Sequence, residues 1–166
     1  MSRFNIRRLE RSDVAAFRDV RLEGLERHPE AFGASYEDEL AHSASQISDR
    51  IANNCIFGGF TDADALAGVI AIARMKGAKT HHIASIWGMY IRPEARGSGL
   101  SRQLMHAALD EATACRSIRL CVVSSNHAAI RLYESFGFKE WAKDSEALKV
   151  GDVYHDEILM RLDTGA

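Results

Sequence analysis

Residues 89–106 read MYIRPEARGSGLSRQLMH and join an apolar strand end to a helix through a loop that contains two glycines. Pro93 has no N–H group to donate, so it ends the strand. From Leu100 onward, apolar residues recur at spacings of three and four, which predicts an amphipathic helix. Gly97 and Gly99 lie directly before it. The first amides of a helix have no partner within the helix, so this order predicts an anion site, most often one for phosphate.

Three other kinds of site do not fit the sequence. The P-loop requires a Gly-Lys-Ser/Thr ending, and the dinucleotide fingerprint requires a glycine where Arg102 stands. The adjacent His81 and His82 would point to opposite faces of a strand, so we expect no metal site. A plain strand-to-helix turn remains compatible with residues 89–106.

The composition indicates a globular chain of 166 residues with a formal net charge of −2. Because Lys and Arg are not in excess, we expect no nucleic-acid partner. The three cysteines form an odd and widely spaced set, which predicts reduced thiols and a cytoplasmic protein. No apolar run approaches the ~18 residues of a membrane helix, so we expect no membrane partner. Residues 1–166 are expected to form a single domain.

The periodicity along the chain predicts an α/β fold (α+β, one mixed sheet) with helices on both faces of the sheet. The predicted order is β-α-α-β-β-β-α-β-α-β-β. The second helical region runs to about Asn53, and the glycine loop follows a strand at residues 82–91. The chain ends in short strands at residues 138–142 and 153–162, with a turn at residues 147–152 between them.

Two motifs together carry a resemblance to a known family. The loop Arg96-Gly97-Ser98-Gly99-Leu100-Ser101 resembles the Gln/Arg-x-x-Gly-x-Gly/Ala loop of the GNAT family of N-acetyltransferases, with Ser101 where Gly or Ala is usual. Residues 126–138, NHAAIRLYESFGF, are similar to the same family's Asn-x-x-Ala-x-x-Leu-Tyr-x-x-x-Gly-Phe. Residue type alone predicts that Asn126 caps the helix of this stretch and that Gly137 ends it in a left-handed conformation. The resemblance covers about residues 4–162. It implies a GNAT-like fold in which two central strands splay apart.

The resemblance implies that acetyl-CoA is the co-substrate. In the family, the loop amides hold the pyrophosphate, and the backbone of the preceding strand binds the pantetheine arm in the gap between the splayed strands. We therefore expect twelve cofactor-binding residues: Met89, Tyr90, Ile91, Arg96, Gly97, Ser98, Gly99, Leu100, Ser101, Arg102, Asn126 and Tyr133.

Tyr133 and Ser85 are the predicted catalytic residues. Tyr133 matches the family tyrosine whose phenol protonates the leaving thiolate, although a buried structural tyrosine would fit the same helix face. The family's basic glutamate lies eleven residues before Arg96, where this sequence has Ser85, which is not a base at neutral pH. Strand alternation would place Ser85, Trp87 and Met89 on one face, so Ser85 could order a water beside a substrate packed on Trp87.

The sequence does not decide which group deprotonates the amine or which amine is the acceptor. His82, Glu37, the run at residues 154–157 or an unassisted amine are alternatives for deprotonation. The predicted substrate-binding residues are Phe32, Tyr36, Glu37 and Trp87. Trp141 would extend this aromatic wall, and Asp38 and Glu39 would join Glu37 in attracting an amine cation, but core or surface roles fit all of these side chains.

The leading functional hypothesis is an N-acetyltransferase that moves acetyl from acetyl-CoA to a primary amine by direct transfer in a ternary complex. The acceptor is a small molecule or the N-terminus of a peptide or protein. Ser85 at the base position supports the alternative of an acetyl-CoA-binding sensor or interaction module without transferase activity. A nucleotide-binding protein that uses the same phosphate loop is a third hypothesis. A homodimer is suggested by analogy only.

Overall fold

The sheet and its helices account for most of residues 4–165, which are the part of the chain that the computed structural model describes. The strands are β1 (Asn5–Arg8), β2 (Cys55–Phe60), β3 (Leu66–Arg74), β4 (Ile83–Ile91), β5 (Ser117–Val123), β6 (Lys139–Val150) and β7 (Val153–Asp163). The helices are α1 (Val14–Arg27), α2 (Tyr36–Leu40), α3 (Ala44–Asn53), α4 (Leu100–Glu111) and α5 (His127–Ser135). The strands form one seven-stranded sheet in the order β1-β2-β3-β4-β5-β7-β6.

The predicted mixed sheet is confirmed, and its central strands splay apart. β4 and β5 are the parallel pair, and they are joined only at Ile83↔Ser117, Ala84↔Ile118 and Ser85↔Arg119. Beyond Ser85, β4 continues to Ile91 and β5 continues to Val123 without further pairing between them. A gap therefore opens at the carboxyl ends of the two central strands, where ligands bind in open α/β sheets.

An irregularity in β4 changes the side-chain alternation at the edge of this gap. The register with β3 passes from Ala71↔Trp87 to Val69↔Tyr90, so β4 contains one extra residue. Gly88, with φ +63°, lies in this bulge. As a result Trp87 packs on the α1 and α3 face, whereas Met89 packs on the α4 and α5 face. The expectation that Met89 shares a face with Trp87 is wrong for this reason.

Helices cover both faces of the sheet, as predicted. Leu104, Met105 and Ala108 of α4 are fully buried in the cluster on one face, and Ile47 and Ile51 of α3 are buried on the other. Leu100, the first residue of α4, lies against Gly59 and Gly68: a Cβ at Gly59 would collide with its side chain, and a Cβ at Gly68 would lie 3.2 Å from its Cδ2. The start of α4 therefore sits close to β2 and β3, which fixes the position of the glycine loop.

One element boundary differs from the sequence prediction. The second helical region ends at Asn53 as predicted and consists of two helices, because Ser43 begins α3 with a capping box to Gln46. β6 extends through the predicted turn to Val150, and only Gly151 and Asp152 connect it to β7. The long β6 is irregular, with register shifts and a left-handed Glu146. Its full length therefore has no regular alternation of apolar and polar residues that would predict a single strand. Within residues 4–165, no helix is long and apolar enough to cross a membrane.

Candidate active site

A cleft of about 530 Å³ lies where β4 and β5 separate. Its walls come from β4, β5, the glycine loop, α5 and the segment around Pro29–Ala31. Most of the sequence-predicted site residues line it together: Phe32, Trp87, Met89, Tyr90, Ile91, Arg96, Gly97, Leu100, Ser101, Asn126 and Tyr133. Sequence positions more than a hundred residues apart therefore meet in one site.

The loop before α4 presents free amides. Gly97 and Gly99 adopt φ +74° and +86°, a left-handed conformation that glycine accepts without a steric penalty. Ser98 turns its hydroxyl inward onto the carbonyl of Ala95. Within the described chain, four amides of the loop and first helical turn have no hydrogen-bond acceptor: Gly97, Ser98, Gly99 and Ser101. Gly97 and Ser101 line the cleft, and Ser98 and Gly99 lie between them in the chain but outside the lining. These donors and the positive end of α4 make this end of the cleft suitable for a phosphate.

Arg96 of the loop and Arg102 of the first turn of α4 have different hydrogen-bond partners. Arg96 lines the cleft, where its Nε donates to the Ile91 carbonyl at 3.1 Å and its Nη2 lies 3.1 Å from Nε2 of His28. Arg102 instead donates to the Ser135 hydroxyl at 3.0 Å, at the end of α5. In this arrangement Arg96, more than Arg102, adds positive charge to the cleft.

The free edge of β4 faces the gap. The Arg92 amide donates to the Ala67 carbonyl of β3 at 2.9 Å. Because backbone groups of successive strand residues point to opposite edges, those of Ile91 and Met89 point away from β3 and toward the gap. The Ile91 carbonyl there already accepts from Arg96 Nε, which leaves the Ile91 amide and the Met89 groups for a ligand. An extended amide-containing group could pair with this edge as an added strand does.

Tyr133 lies at the inner part of the cleft and is 7% exposed. The Asn126 side chain caps α5 by accepting the Ala129 amide at 3.1 Å, as predicted, and this fixes the start of the helix. The Tyr133 hydroxyl donates to Sδ of Met89 at 3.8 Å. Burial raises the pKa of Tyr133 to about 12, so the phenol is protonated throughout the physiological range.

The α1 side of the cleft contains an arginine behind an aromatic wall. The Arg21 guanidinium lies 5.3 Å from the Phe32 ring centroid and 5.8 Å from that of Trp87. Glu39 is buried and forms ion pairs with Arg21 at 3.5 Å and Arg50 at 2.6 Å. Burial, with the neighbouring Arg50, lowers the pKa of Arg21, and Glu39 opposes this change. The negative charge of Glu39 is therefore balanced by the two arginines, and Glu39 does not present a free carboxylate to an amine.

Several predicted residues lie outside the cleft lining. Tyr36 and Glu37 begin α2, where Tyr36 is half-buried and Glu37 is exposed. Trp141 is 55% exposed on β6. Ser85 is the last β4 residue paired with β5, just inside the point of separation. His82 lies in a second cavity, beside Arg116 and Arg119. Among residues 4–165, no group of three or more His, Cys, Asp or Glu side chains could hold a metal ion.

Two residues beside the cleft carried little sequence signal. Cys121 on β5 lines the cleft and is exposed. Burial raises the pKa of the Cys121 thiol, and the nearby Glu157 and Asp144 raise it further. Burial, with Asp144, also raises the pKa of the half-buried Glu157. Cys121 and Glu157 lie close to each other because β5 pairs with β7, a long-range contact that sequence periodicity does not reveal.

The family assignment follows from comparison with known proteins. A model of the acetyltransferase (GNAT) family matches residues 17–138. The chain belongs to the GNAT family. A GNAT acetyltransferase from Streptococcus pneumoniae has the same fold, with a TM-score of 0.85 at 20% identity over 97% of this chain and 99% of that one. YncA from Salmonella typhimurium, solved with its cofactor acetyl-CoA, gives a TM-score of 0.79 at 20% identity over 98% and 95%.

Curated relatives of this GNAT chain are similar over a shorter region. The mycothiol acetyltransferase of Thermobispora bispora is 39% identical over 64 residues, which are 37% of this chain and 22% of the relative. The match therefore spans about a fifth of that relative's length. It supports membership of an acetyltransferase family and leaves the acceptor of this chain open.

Proposed function

We propose that this protein transfers the acetyl group of acetyl-CoA directly to a primary amine of a small molecule or of a peptide or protein N-terminus. One observation carries the proposal: the loop with free amides and the buried hydroxyl of Tyr133 open into the same cleft. With a diphosphate on the amides around Gly97, the pantetheine arm would follow the free edge of β4 toward Tyr133. The acetyl-CoA complex of YncA, a protein of the same fold, supports this choice of co-substrate.

In the proposed reaction Tyr133 would donate a hydrogen bond to the leaving sulfur. In the reaction the amine nitrogen bonds to the carbonyl carbon, the C–S bond breaks, and the nitrogen loses a proton. The Tyr133 hydroxyl already donates to one sulfur atom, that of Met89. Complete proton transfer from a phenol of pKa about 12 to a thiolate whose conjugate thiol has an ordinary pKa would be unfavourable by roughly three pKa units. We therefore assign Tyr133 the stabilisation of developing charge on sulfur by a hydrogen bond.

Direct transfer is favoured over an acetyl-enzyme. Cys121 is the one thiol among the described residues that line the cleft. Because its pKa is raised, little of it is thiolate at neutral pH, and the thiolate is the nucleophilic form. The acetyl group is thus expected to pass to the amine within a ternary complex.

Glu157 is the base that fits the structure best. Of the alternatives named from the sequence, Glu37 is exposed outside the cleft lining, and Asp156 is bound to Lys143 at 2.7 Å. Glu157 does not line the cleft either, but it is half-buried and close enough to Cys121, a residue of the cleft wall, to raise the pKa of that thiol. A carboxylate with a raised pKa is better matched to proton abstraction near neutral pH. Ordering of a water by Ser85 stays a prediction.

Replacement of Glu157 by glutamine is expected to lower kcat about ten-fold, since a positioned base is lost and water partly replaces it. In the native enzyme kcat/KM should rise with pH through the Glu157 pKa, which lies above that of an ordinary glutamate because burial disfavours the anion. The variant should lose this rise. Glu140→Gln, at an exposed position of β6, is the matched control. An unchanged pH profile in Glu157→Gln would remove Glu157 from the mechanism.

The proposed function is tested by binding and by thiol release. Calorimetry should show binding of acetyl-CoA and no comparable binding of ATP. Free thiol should then be released when amino acids, polyamines or peptides with free N-termini are added, and mass spectrometry should identify the acetylated amine. Binding without release across the panel would favour the sensor module, and absence of binding would contradict both readings.

A further inference from the structure

Arg21 has a buried donor without a partner. Its side chain is 8% exposed, and its Nε lies 3.5 Å from Oε2 of Glu39. Its Nη1 is inaccessible to solvent and has no hydrogen-bond partner within residues 4–165. Buried charged donors are almost always paired, and an unpaired one indicates a missing water, ion or ligand.

The charge around Arg21 is also unbalanced. Glu39, which is 2% exposed, accepts the Nη1 of Arg50 at 2.6 Å, and this is the shorter of its two ion pairs. Two guanidinium groups thus share one carboxylate. The longer contact leaves Arg21 with the uncompensated positive charge, which is unfavourable in a buried site unless an anion joins it.

The unpaired donor lies against the acceptor side of the cleft. A Cβ built at Gly88 would lie 3.3 Å from Arg21 Nη1, so only the glycine backbone stands at this point. Gly88, Phe32 and Trp87 all line the cleft, and the guanidinium lies beside both rings. The next residue of β4, Met89, contacts the Tyr133 hydroxyl. The charge and the expected site of transfer therefore lie beside adjacent residues of β4, on opposite faces of the sheet.

We infer that Arg21 forms an anion subsite at this wall and that the acceptor is an amine that also carries a carboxylate. The inference rests on the proposed acetyl transfer. A guanidinium binds a carboxylate through two parallel hydrogen bonds. Nη1 supplies one of these donors when the acceptor displaces the groups that close it from solvent in the free protein. Phe32 and Trp87 hold the guanidinium plane by cation–π contact while the acceptor's anionic group approaches. The subsite selects anionic amines, in contrast to the cation-attracting role predicted for residues 37–39.

Pairs of acceptors that differ only in the carboxylate test this inference. Suitable pairs are phenylalanine with 2-phenylethylamine, methionine with 3-(methylthio)propylamine, and amino acids with their amides, each assayed by thiol release. The native enzyme should show a kcat/KM at least ten-fold higher for the carboxylate member. In Arg21→Met the ratio of the two kcat/KM values should fall to about one for every pair.

The controls separate recognition from stability. Arg50 still pairs with Glu39 in Arg21→Met, and a thermal melt checks that the variant folds. Arg11→Met, at a side chain 62% exposed and paired with Asp49, should retain the native preference. If Arg21→Met fails to fold, equal rates for the two members of each pair with the native enzyme would still overturn the subsite.

Three outcomes are distinguishable. Preference for the carboxylate members that is lost in Arg21→Met supports the subsite. Equal rates for both members of every pair, with thiol released, would overturn the subsite and leave the acetyltransferase intact. Acetyl-CoA binding without thiol release from any amine would contradict the proposed function itself, and with it the inference.

Discussion

Tyr133→Phe is expected to lower kcat about a hundred-fold, while the Kd for acetyl-CoA changes less than two-fold. The hydroxyl is the only group that the substitution removes, and in the free protein it donates to the Met89 sulfur at 3.8 Å. A thioether is a weak acceptor, so this contact adds little to stability. When charge develops on the leaving sulfur in a buried cleft, the same hydrogen bond becomes strong, and loss of one such donor costs 10²–10³ in rate.

The high pKa of Tyr133 gives this prediction a second readout. Because burial keeps the phenol neutral up to a pKa of about 12, its titration should not limit kcat at any pH below about 11. An alkaline loss of activity with an apparent pKa near 9 or 10 in the native enzyme would therefore have to come from another group. If that loss vanished in Tyr133→Phe, the assignment of a permanently protonated donor would be wrong.

Tyr154→Phe is the matched control for the loss of a phenolic hydroxyl. Tyr154 is 54% exposed on β7, outside the cleft lining, and its variant should keep native kcat. Isothermal calorimetry gives the Kd, and thiol release at saturating acetyl-CoA gives kcat. Native turnover in Tyr133→Phe would limit Tyr133 to a packing role against Phe138, whose ring centroid lies 6.0 Å away.

Local sequence signals predicted the parts of the site that depend on neighbouring residues. Pro93 ends β4 and the glycines precede α4, because both effects act within a few residues. The Asn126 cap and the left-handed Gly137 after α5 are likewise local, and the structure confirms both. These features place the loop and Tyr133, so the cofactor half of the site could be predicted largely from residues 89–138.

The acceptor half depends on contacts that the sequence does not encode locally. The bulge at Gly88 turns Met89 to the opposite face from Trp87, and strict alternation could not predict it. The pairing of Arg21 with Glu39 joins α1 to α2 across 18 residues. In the sequence nothing distinguishes Glu39 from its exposed neighbours Glu37 and Asp38. Only the structure shows that Glu39 is buried and forms ion pairs with the two arginines.

These two halves meet at β4, so in the proposed reaction one strand would contact both substrates. Its free edge faces the gap and can pair with an amide-containing arm, whereas the bulge brings the Gly88 backbone against Arg21. An additional side chain at Gly88 would press on Nη1 of Arg21 at 3.3 Å and would also have to adopt φ +63°. The same bulge thus leaves the Gly88 position without a side chain beside Arg21 and turns Met89 toward Tyr133.

Gly97→Ala is expected to raise the Kd for acetyl-CoA ten- to a hundred-fold. Gly97 has φ +74°, where a Cβ costs roughly 1–2 kcal/mol, so alanine would shift the loop away from its present path. The amides that face the cleft would then lose their common direction, and the new methyl group would stand where the backbone must approach a phosphate closely. Isothermal calorimetry with acetyl-CoA measures the effect directly.

Gly151→Ala separates backbone strain from ligand binding. Gly151 has φ +60° in the turn between β6 and β7, and as at Gly97 nothing lies within 4 Å of an added Cβ. Both variants should therefore lose a similar free energy of unfolding, but only Gly97→Ala should weaken acetyl-CoA binding. Equal Kd values for the two variants would mean that the amides before α4 do not hold the diphosphate. The affinity would then have to come from the β4 edge and Arg96, and the anion site inferred from residues 89–106 would be wrong.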